Sequence, residues 1–289
     1  MREQTNAQTV PDEAPRRLID GAISIELSPD QVRDFRPSQA ILPAGSRVFL
    51  THLTGKPLGA QIEAARTLIE MGYVPVPHLG AKNFESVKDY VRQIETHGRN
   101  GVTDALFVGG NPLTSSGPLR EAAELLAHPI LSSAGIRTAF IGGYPEGHPS
   151  ISKDALRDAT MRKLSLCHGK GLSPHIVSQF AFDGRSMANW AKELQAEHPD
   201  LPVRLGLAGV TSLPKLIKFA VMCGIGPSLA ALRRSGAGLF NVLADKDPGD
   251  VIKGIEASYP SPFGPLDIHF FPFGGWQKTL DWIETARLT

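Results

Sequence analysis

The sequence predicts an α/β fold of the (β/α)8 barrel type, folded as a single domain. Eight short apolar segments alternate with amphipathic segments from residue 21 to the end of the chain, which is the pattern of strands alternating with helices. Nearly all of the apolar segments are continuous, as is typical of parallel strands that are buried on both faces. A length of 289 residues suits one barrel of about 250 residues with some longer loops.

The predicted strands and helices follow one another in a regular order. The strands are GAISIEL, RVFLTHL, YVPVPHL, DALFVGG, IRTAFIGG, HIVSQFAF, VRLGLAG and LDIHFFPF. Helices are predicted in KPLGAQIEAARTLIEMG, NFESVKDYVRQIETHG, PLREAAELLAHPILSSAG, SKDALRDATMRKLSLCHGKG, RSMANWAKELQAEHP, SLPKLIKFAVMCGIG, GPSLAALRRSG, DPGDVIKGIEASYP and KTLDWIETARL. Gly72 and Gly98 are expected to end the first two helices, because glycine readily takes the left-handed conformation that follows a last helical turn.

The alternative architecture is a doubly wound open sheet. Such a sheet normally carries a glycine-rich turn after its first strand, whereas this chain has Glu26-Leu27-Ser28-Pro29 there. The closed barrel is therefore the favoured prediction.

Composition and charge exclude several classes of protein. The formal net charge is only +1, which predicts no nucleic-acid partner and no acidic membrane surface. No apolar run reaches the 18 or so residues of a membrane span. Cys167 and Cys223 have no CxxC spacing, so we expect two buried thiols in a reducing compartment, and a cytoplasmic location. Residues 1–20 are polar and lack a secretory signal, which predicts a flexible arm before a barrel of residues 21–289.

Polar or aromatic side chains follow several predicted strands at the point where each strand ends. These residues are Glu26, Thr51, His78, Asn111, Tyr144 and Gln179. In a parallel barrel the carboxyl ends of all strands face one mouth, and enzymes of this fold carry their chemistry there. The series therefore predicts one site built from several strands.

Some of these residues suggest a chemical role and also have ordinary structural explanations. A carboxyl group at an apolar mouth has a raised pKa and suits a general acid, although Glu26 could equally be a capping or ion-paired residue. His78 alone is more often a structural histidine, and the chain has no metal-binding motif of the HExxH type. Gly109 and Gly110 allow a flat or phosphorylated ligand to approach the backbone, or form a tight turn.

Two later segments give stronger signals. GGYPEGHPS, residues 142–150, is a stiff loop with ring surfaces, which is typical of a ligand wall at a barrel mouth, and Ser152 can cap the helix that follows. Gln179 is predicted to be a buried amide that needs hydrogen-bond partners. A buried amide without such partners destabilises the fold by about 1–3 kcal/mol. Arg162 and Lys163, on the next helix, either contact a pyrophosphate or form a solvated helix face.

Six segments of the chain resemble, in their order, the motifs of the 5,10-methylenetetrahydrofolate reductases. They are ISIE, PHLG, the glycine turn of the fourth strand, GGYPEGHPS, SQFAFD and the final DIHFF. The resemblance extends from residue 21 to about residue 280. It implies a β/α barrel with non-covalent FAD that takes a hydride from NADH or NADPH. The reduced flavin then converts 5,10-methylenetetrahydrofolate to 5-methyltetrahydrofolate, in ping-pong fashion, for one-carbon metabolism and methionine biosynthesis. The sequence is also compatible with a homo-oligomer.

The resemblance also implies roles for individual residues. Glu26 matches the acid that helps to open the five-membered ring of the folate. The substrate-binding positions are Gln179, Asn111 and Phe219. The FAD-binding positions are Thr51, His78, Gly109, Gly110, Asn111, Tyr144, His148, Arg162 and Lys163, of which the last three match the adenosine diphosphate half.

The chain departs from the family pattern at three places. Leu27 and Ser28 replace the aromatic residues that usually follow the acid, Asn111 replaces an aspartate, and the segment FLTHLTGKP of the second strand is altered. Two alternatives therefore stay open: a flavin-poor or flavin-free barrel that transfers a methyl or one-carbon group of folate, and a non-catalytic folate-binding subunit. The presence of both Glu26 and Gln179 favours an enzyme, because a binding protein needs no acid.

Overall fold

Eight parallel strands close into a barrel, in the order β1-β10-β7-β6-β5-β4-β3-β2. The computed structural model describes residues 17–52, 58–110, 117–222, 245–259, 265–273 and 275–289. The strands are β1 (Ile23–Leu27), β2 (Arg47–Leu50), β3 (Val74–Gly80), β4 (Asp104–Val108), β5 (Thr138–Gly143), β6 (Ser173–Phe180), β7 (Val203–Ala208), β8 (Thr211–Ser212), β9 (Asp245–Lys246) and β10 (Leu266–Phe271). The short strands β8 and β9 form a separate antiparallel pair. Because β1 pairs with both β2 and β10, the predicted single-domain barrel is confirmed and the open sheet is wrong.

Helices connect the barrel strands. They are α1 (Leu58–Glu70), α2 (Val87–Arg99), α3 (Ala122–Ala127), α4 (Lys153–Gly169), α5 (Gly184–Glu197), α6 (Leu213–Met222), α7 (Gly249–Ser258) and α8 (Trp276–Leu288). Ser152 caps α4 as predicted, because its side chain accepts a hydrogen bond from the N–H of Ala155 at 3.2 Å. The predicted helical segment after α6 and Cys223 lie outside the described residues, while Cys167 is a free, buried thiol. Within the described ranges, no helix has the length and apolar character that crossing a membrane requires.

The two glycines predicted to end helices behave differently. Gly72 has a φ of 84° after α1, as expected. Gly98 lies inside α2, and the left-handed glycine after this helix is Gly101, with a φ of 86°. A Cβ at position 98 would lie 1.6 Å from the carbonyl oxygen of Ala134, so the glycine permits close packing of the helix and does not end it.

Side chains alternate between the inside and the outside of the barrel. Ile25 and Leu27 of β1 pack outward in the core beneath the helices. The barrel interior is filled by a second apolar cluster, of Phe49, Val76, Leu106, Phe140 and Val177. Glu26, between two outward-facing residues, points into the barrel above this cluster, toward the mouth.

The opposite end of the barrel interior is closed by ion pairs. Arg47 Nε lies 2.8 Å from Asp104 Oδ2, and Arg204 Nη2 lies 3.0 Å from Asp267 Oδ2. The Arg47 guanidinium also lies over the ring of Phe140, at 5.5 Å from its centroid. All four ionic residues stand near the amino ends of their strands, where barrel residues generally serve stability.

The N-terminal segment is anchored where the structure describes it. The Arg17 guanidinium donates hydrogen bonds to the carbonyls of Ala286 and Arg287 in α8, at 3.3 and 2.8 Å. Ile19 is buried in the core. Residues 17–20 therefore pack against α8, and the rest of the predicted arm, residues 1–16, lies outside the described residues.

A β-bulge in β6 shapes the mouth, and a glycine in the neighbouring strand accommodates it. The pairing of β6 with β7 shifts between Val177 and Phe180. Ser178 Oγ accepts a hydrogen bond from the N–H of Gly206 at 2.8 Å. A Cβ at position 206 would lie 2.4 Å from the carbonyl oxygen of Ser178 and 2.7 Å from the Phe271 ring. Only glycine therefore fits opposite the bulge.

We expect Gly206→Ala to lower the free energy of unfolding by about 1–3 kcal/mol, because the added methyl group overpacks a rigid backbone contact. Urea unfolding followed by circular dichroism measures the loss. The matched control is Gly169→Ala in α4, where nothing lies within 4 Å of the added Cβ and we expect a change within about 1 kcal/mol. Equal stability of the two variants would contradict the role assigned to Gly206.

Candidate functional site

Glu26 and His78 face each other in the barrel mouth. Glu26 Oε2 lies 3.4 Å from His78 Nε2, and the two side chains are 18% and 15% exposed. Burial raises the pKa of Glu26 to about 8, the direction expected from its place in the sequence. Burial, together with the nearby His52, lowers the pKa of His78 to about 3. Both shifts favour the uncharged forms, with a protonated carboxyl on Glu26 and a neutral imidazole on His78.

The contact between these two residues is loose. His78 Nε2 is buried, and within the described residues it has no partner at hydrogen-bond geometry, so the distance of 3.4 Å marks proximity without a well-formed hydrogen bond. A carboxyl group in such a contact is free to turn its proton toward a ligand.

A second histidine lies deeper in the barrel, beneath the Glu26–His78 pair. Ser24 Oγ lies 3.0 Å from His269 Nδ1, 3.4 Å from Arg204 Nη1 and 3.3 Å from the carbonyl oxygen of Ile268. Arginine only donates and a carbonyl only accepts. All three contacts are therefore satisfied when His269 donates from Nδ1. Burial, His78 and Arg204 hold the pKa of His269 well below its usual range, so His269 is uncharged beneath the mouth.

Unpartnered polar atoms gather where β2 and β3 end. Thr51 Oγ1, His52 Nδ1 and Asn83 Oδ1 are buried and have no hydrogen-bond partner within the described residues. Asn83 Nδ2 donates to the carbonyl of His52 at 3.3 Å, which places these loops side by side. Because leaving a buried polar atom unpaired costs about 1–3 kcal/mol, this corner suits a ligand with polar edges.

The glycine turn after β4 packs against the same corner. Gly109 accepts a hydrogen bond from the N–H of Lys82 at 2.9 Å. Gly110 has a φ of 73°, and a Cβ there would lie 2.8 Å from Asn83 Oδ1 and 3.1 Å from Gly80 Cα. The close approach of two loops therefore already explains why glycine stands at position 110. Asn111 lies outside the described residues.

The predicted ligand wall after β5 brings Tyr144 and His148 together. Their rings meet edge to face, with centroids 5.8 Å apart, and His148 Nδ1 accepts a hydrogen bond from the N–H of Ser150 at 3.2 Å. Burial raises the pKa of Tyr144. A side chain at position 142 would come within 3.9 Å of the Tyr144 hydroxyl, so Gly142 keeps the space beside this group open.

A cavity of about 700 Å³ lies behind this loop, between α4 and α5. Its lining includes Tyr144, Trp190 and Asn189, with Arg157 and Glu197 at its edge. Arg157 Nη2 pairs with Glu197 Oε1 at 2.8 Å, which bridges the two helices.

Arg162 and Lys163 do not line this cavity. Arg162 Nη1 forms an ion pair with Glu121 Oε1 at 2.6 Å, with side chains 59% and 50% exposed. Lys163 is half-buried beside Cys167 and Glu121, and burial lowers the pKa of its ammonium group to about 8. Both residues lie on the part of α4 that faces α3, apart from Tyr144 and His148. The structure thus brings Tyr144 and His148 together, and it places Arg162 and Lys163 elsewhere.

Five phenylalanines form what we call the aromatic wall of the mouth, which the sequence indicated only through Phe219. They are Phe180, Phe182, Phe219, Phe271 and Phe273. Phe219 stacks on Phe273 with ring centroids 4.1 Å apart and planes 15° apart. Phe271 lies nearly parallel to Phe273, at 12°. In the sequence, the run FFPF of the last strand is the feature that could have indicated this wall.

Gln179 lies at the bulge of β6, beside this wall. It is half-buried, and its carbonyl accepts a hydrogen bond from Ser178 Oγ at 2.8 Å. In barrel order β7 and β10 separate β6 from β1, so Gln179 and Glu26 occupy different sides of the same mouth. Its contact with a ligand stays a prediction. Among the residues that the structure describes, no three His, Cys, Asp or Glu side chains come together as a metal site would require.

Comparison with known proteins supports the barrel architecture. No protein-family model matches the sequence. A solved structure from Clostridium thermocellum, of a protein described as binding two copies of 5-methyl-5,6,7,8-tetrahydrofolic acid, is similar with a TM-score of 0.57. It is 12% identical, and the match covers 92% of this chain and 93% of that one. A Burkholderia cenocepacia protein assigned as a candidate phosphonomutase is 15% identical with a TM-score of 0.49, over 94% and 96% of the two chains. At 12% identity, the similarity to the Clostridium thermocellum structure concerns the fold alone.

Proposed function

We propose that this chain binds a reduced folate in the barrel mouth, and that Glu26 protonates it during reduction of 5,10-methylenetetrahydrofolate to 5-methyltetrahydrofolate. The observation that carries the proposal is the place of the largely buried Glu26 carboxyl at the carboxyl end of a barrel strand, 3.4 Å from His78, where burial raises its pKa to about 8. A general acid works best when its pKa lies near the working pH. The binding of 5-methyltetrahydrofolic acid by the similar barrel of Clostridium thermocellum supports the choice of ligand.

The proton of Glu26 has a defined use in this reaction. Opening the five-membered ring of the folate breaks a bond between the methylene carbon and one nitrogen, and leaves an iminium at the other nitrogen. The departing nitrogen takes the proton of Glu26, and the methylene carbon then accepts a hydride. His78 does not compete for this proton, because burial and the nearby His52 keep the pKa of His78 near 3.

The mouth offers surfaces for a flat substrate. The aromatic wall supplies ring faces, and aromatic pairs add about 0.5–1.5 kcal/mol beyond the area that they bury. Gln179, on the same side, is proposed to hydrogen-bond the edge of the pterin. An apolar face opposite an acidic group would orient the ring so that its nitrogen lies near Glu26, and such orientation is a large part of catalysis.

The described residues fit the ring of a flavin. Thr51 Oγ1 and His52 Nδ1 are buried and have no hydrogen-bond partner among the residues that the structure describes, and with His78 and Tyr144 they would hold polar edges of the ring. A bound FAD would supply the hydride, taken from NADH or NADPH. Arg162 and Lys163, the cations expected to bind the pyrophosphate of FAD, fit that role less well. Arg162 pairs with Glu121, and Lys163 is half-buried beside Cys167.

This placement of the two cations favours a second candidate function. A folate-dependent barrel without flavin, which transfers a methyl or one-carbon group, needs no pyrophosphate site. It would use the same acid and the same aromatic wall.

Two measurements on the purified protein test the proposal and separate the candidates. Isothermal titration with 5-methyltetrahydrofolate should show saturable binding. A visible spectrum should show oxidised flavin that anaerobic NADH bleaches and 5,10-methylenetetrahydrofolate restores. Absence of folate binding would overturn the proposal. Folate binding by a protein that stays colourless after incubation with FAD would select the flavin-free candidate.

A further inference from the structure

Gln61, on α1, is a buried amide that reaches the ends of two barrel strands. It is 3% exposed. Its Nε2 donates to the carbonyl of Leu50 at 3.0 Å, to that of His78 at 3.1 Å and to that of Thr51 at 3.4 Å. Because carbonyl oxygens only accept, these contacts fix the orientation of the amide, with its nitrogen toward β2 and β3.

The other end of this amide is braced by α2. Gln61 Oε1 accepts a hydrogen bond from Gln93 Nε2 at 2.7 Å, and His97 Nε2 lies 3.3 Å away. Since Oε1 only accepts, His97 must carry its proton on Nε2. Gln93 and His97 are 1% and 0% exposed, and burial, with the nearby His52, lowers the pKa of His97 to about 4. The brace is therefore neutral and buried.

The His78 carbonyl needs a partner of this kind. The N–H of Val74 donates to the carbonyl of Ser46, just before β2, so the peptide group of Val74 faces β2. Because every second residue of a strand faces the same neighbouring strand, the peptide groups of residues 76 and 78 also face β2. The pairing of β2 with β3 ends at Leu50 and Pro77, one residue before His78. The side chain of Gln61 thus bonds the His78 carbonyl where the ladder ends.

We propose that Gln61 is a positioning residue for the Glu26–His78 pair, because it fixes the backbone of His78 and so the distance between the two side chains. The catalytic consequence rests on the proposed function, whereas the structural claim stands on the hydrogen bonds alone. Within the described ranges, the titratable neighbours of His78 are His52 and His269, and burial lowers the pKa of both, so both are uncharged at neutral pH.

The test compares Gln61→Met with the matched variant Gln93→Met. Both replace a buried amide of one network by an unbranched apolar side chain of similar length, and both should lower the midpoint of thermal unfolding. Only Gln61→Met frees the strand-end carbonyls. We therefore expect only this variant to admit water at the mouth and to lower the titration midpoint of Glu26, measured by ¹³C NMR of its carboxyl carbon, by about one pH unit or more.

Two further readouts make the test decisive. In the wild-type protein, ¹⁵N NMR of the histidine rings should show His97 protonated on Nε2. In a protein that turns over folate, Gln61→Met should lower kcat roughly tenfold to a hundredfold, with a smaller change for Gln93→Met. An unchanged Glu26 midpoint in Gln61→Met, or a His97 ring protonated on Nδ1, would overturn the inference. The NMR measurements need no folate, so a protein inactive toward folate would refute the proposed function and still give a result here.

Discussion

Glu26→Gln should abolish most of the folate turnover and leave folate binding nearly intact. The amide keeps the size of the carboxyl group and cannot deliver a proton. Loss of a general acid lowers a rate by about 10²–10⁴-fold, and this is the largest effect that we expect of any single substitution in the mouth. Oxidation of NADH by bound flavin, where flavin is present, should stay within about twofold of the wild type, because that step does not use the acid.

The measurement is steady-state reduction of 5,10-methylenetetrahydrofolate, with the affinity for 5-methyltetrahydrofolate measured on the same samples. Asp34→Asn is a matched control, since it makes the same change of acid to amide at an exposed position after β1. It should retain full activity. A Glu26→Gln variant that works within a few-fold of the wild-type rate would show that Glu26 is not the acid.

The pH profile follows from the raised pKa of Glu26. The protonated form is the active one, so the wild-type rate should fall as the pH rises through about 8, and the residual rate of Glu26→Gln should lack this limb. The contribution of Glu26 to the free energy of unfolding also decreases as the pH rises. A carboxyl whose pKa is raised from 4.5 on folding contributes stability at low pH that is lost as the pH rises toward 8. The lowered pKa of His78 acts oppositely, and its contribution is lost as the pH falls from 6.5 toward 3.

Local chemistry was enough to predict the barrel and the raised pKa of Glu26. Continuous apolar strands and amphipathic helices specify a parallel sheet that is covered outside and packed inside. Glu26 was predictable because it is the one carboxylate within the apolar segment of β1, between Ile25 and Leu27, and burial of a carboxyl raises its pKa whatever the details around it.

Features that depend on contacts between distant segments were not predictable from the sequence. Gln61 looked like an ordinary polar residue of an amphipathic helix, and its role depends on where β2 ends relative to β3. The face presented by Arg162 and Lys163 depends on the rotation of α4 about its axis. The bulge at Ser178 depends on Gly206 of another strand, and the aromatic wall combines side chains from segments that are distant in the sequence.

Asp104→Asn should lower the free energy of unfolding by about 3–5 kcal/mol, the usual cost of removing one partner of a buried ion pair. The Asp104 side chain is 5% exposed, lies 2.8 Å from Arg47 Nε, and accepts a hydrogen bond from Thr103 Oγ1 at 2.9 Å. Without this charge, the Arg47 guanidinium loses its carboxylate partner at the closed end of the barrel. Urea unfolding followed by circular dichroism measures the loss.

The exposed pair of Glu63 and Arg66 provides the contrast. Its atoms are 2.6 Å apart, closer than those of Asp104 and Arg47, but the side chains are 63% and 56% exposed. We expect Glu63→Gln to cost less than about 1 kcal/mol. Where Asp104→Asn stays folded, it should leave the Glu26 titration unchanged, because the two carboxyl groups stand at opposite ends of the barrel. Equal losses in Asp104→Asn and Glu63→Gln would mean that burial does not determine the strength of the ion pairs at the closed end.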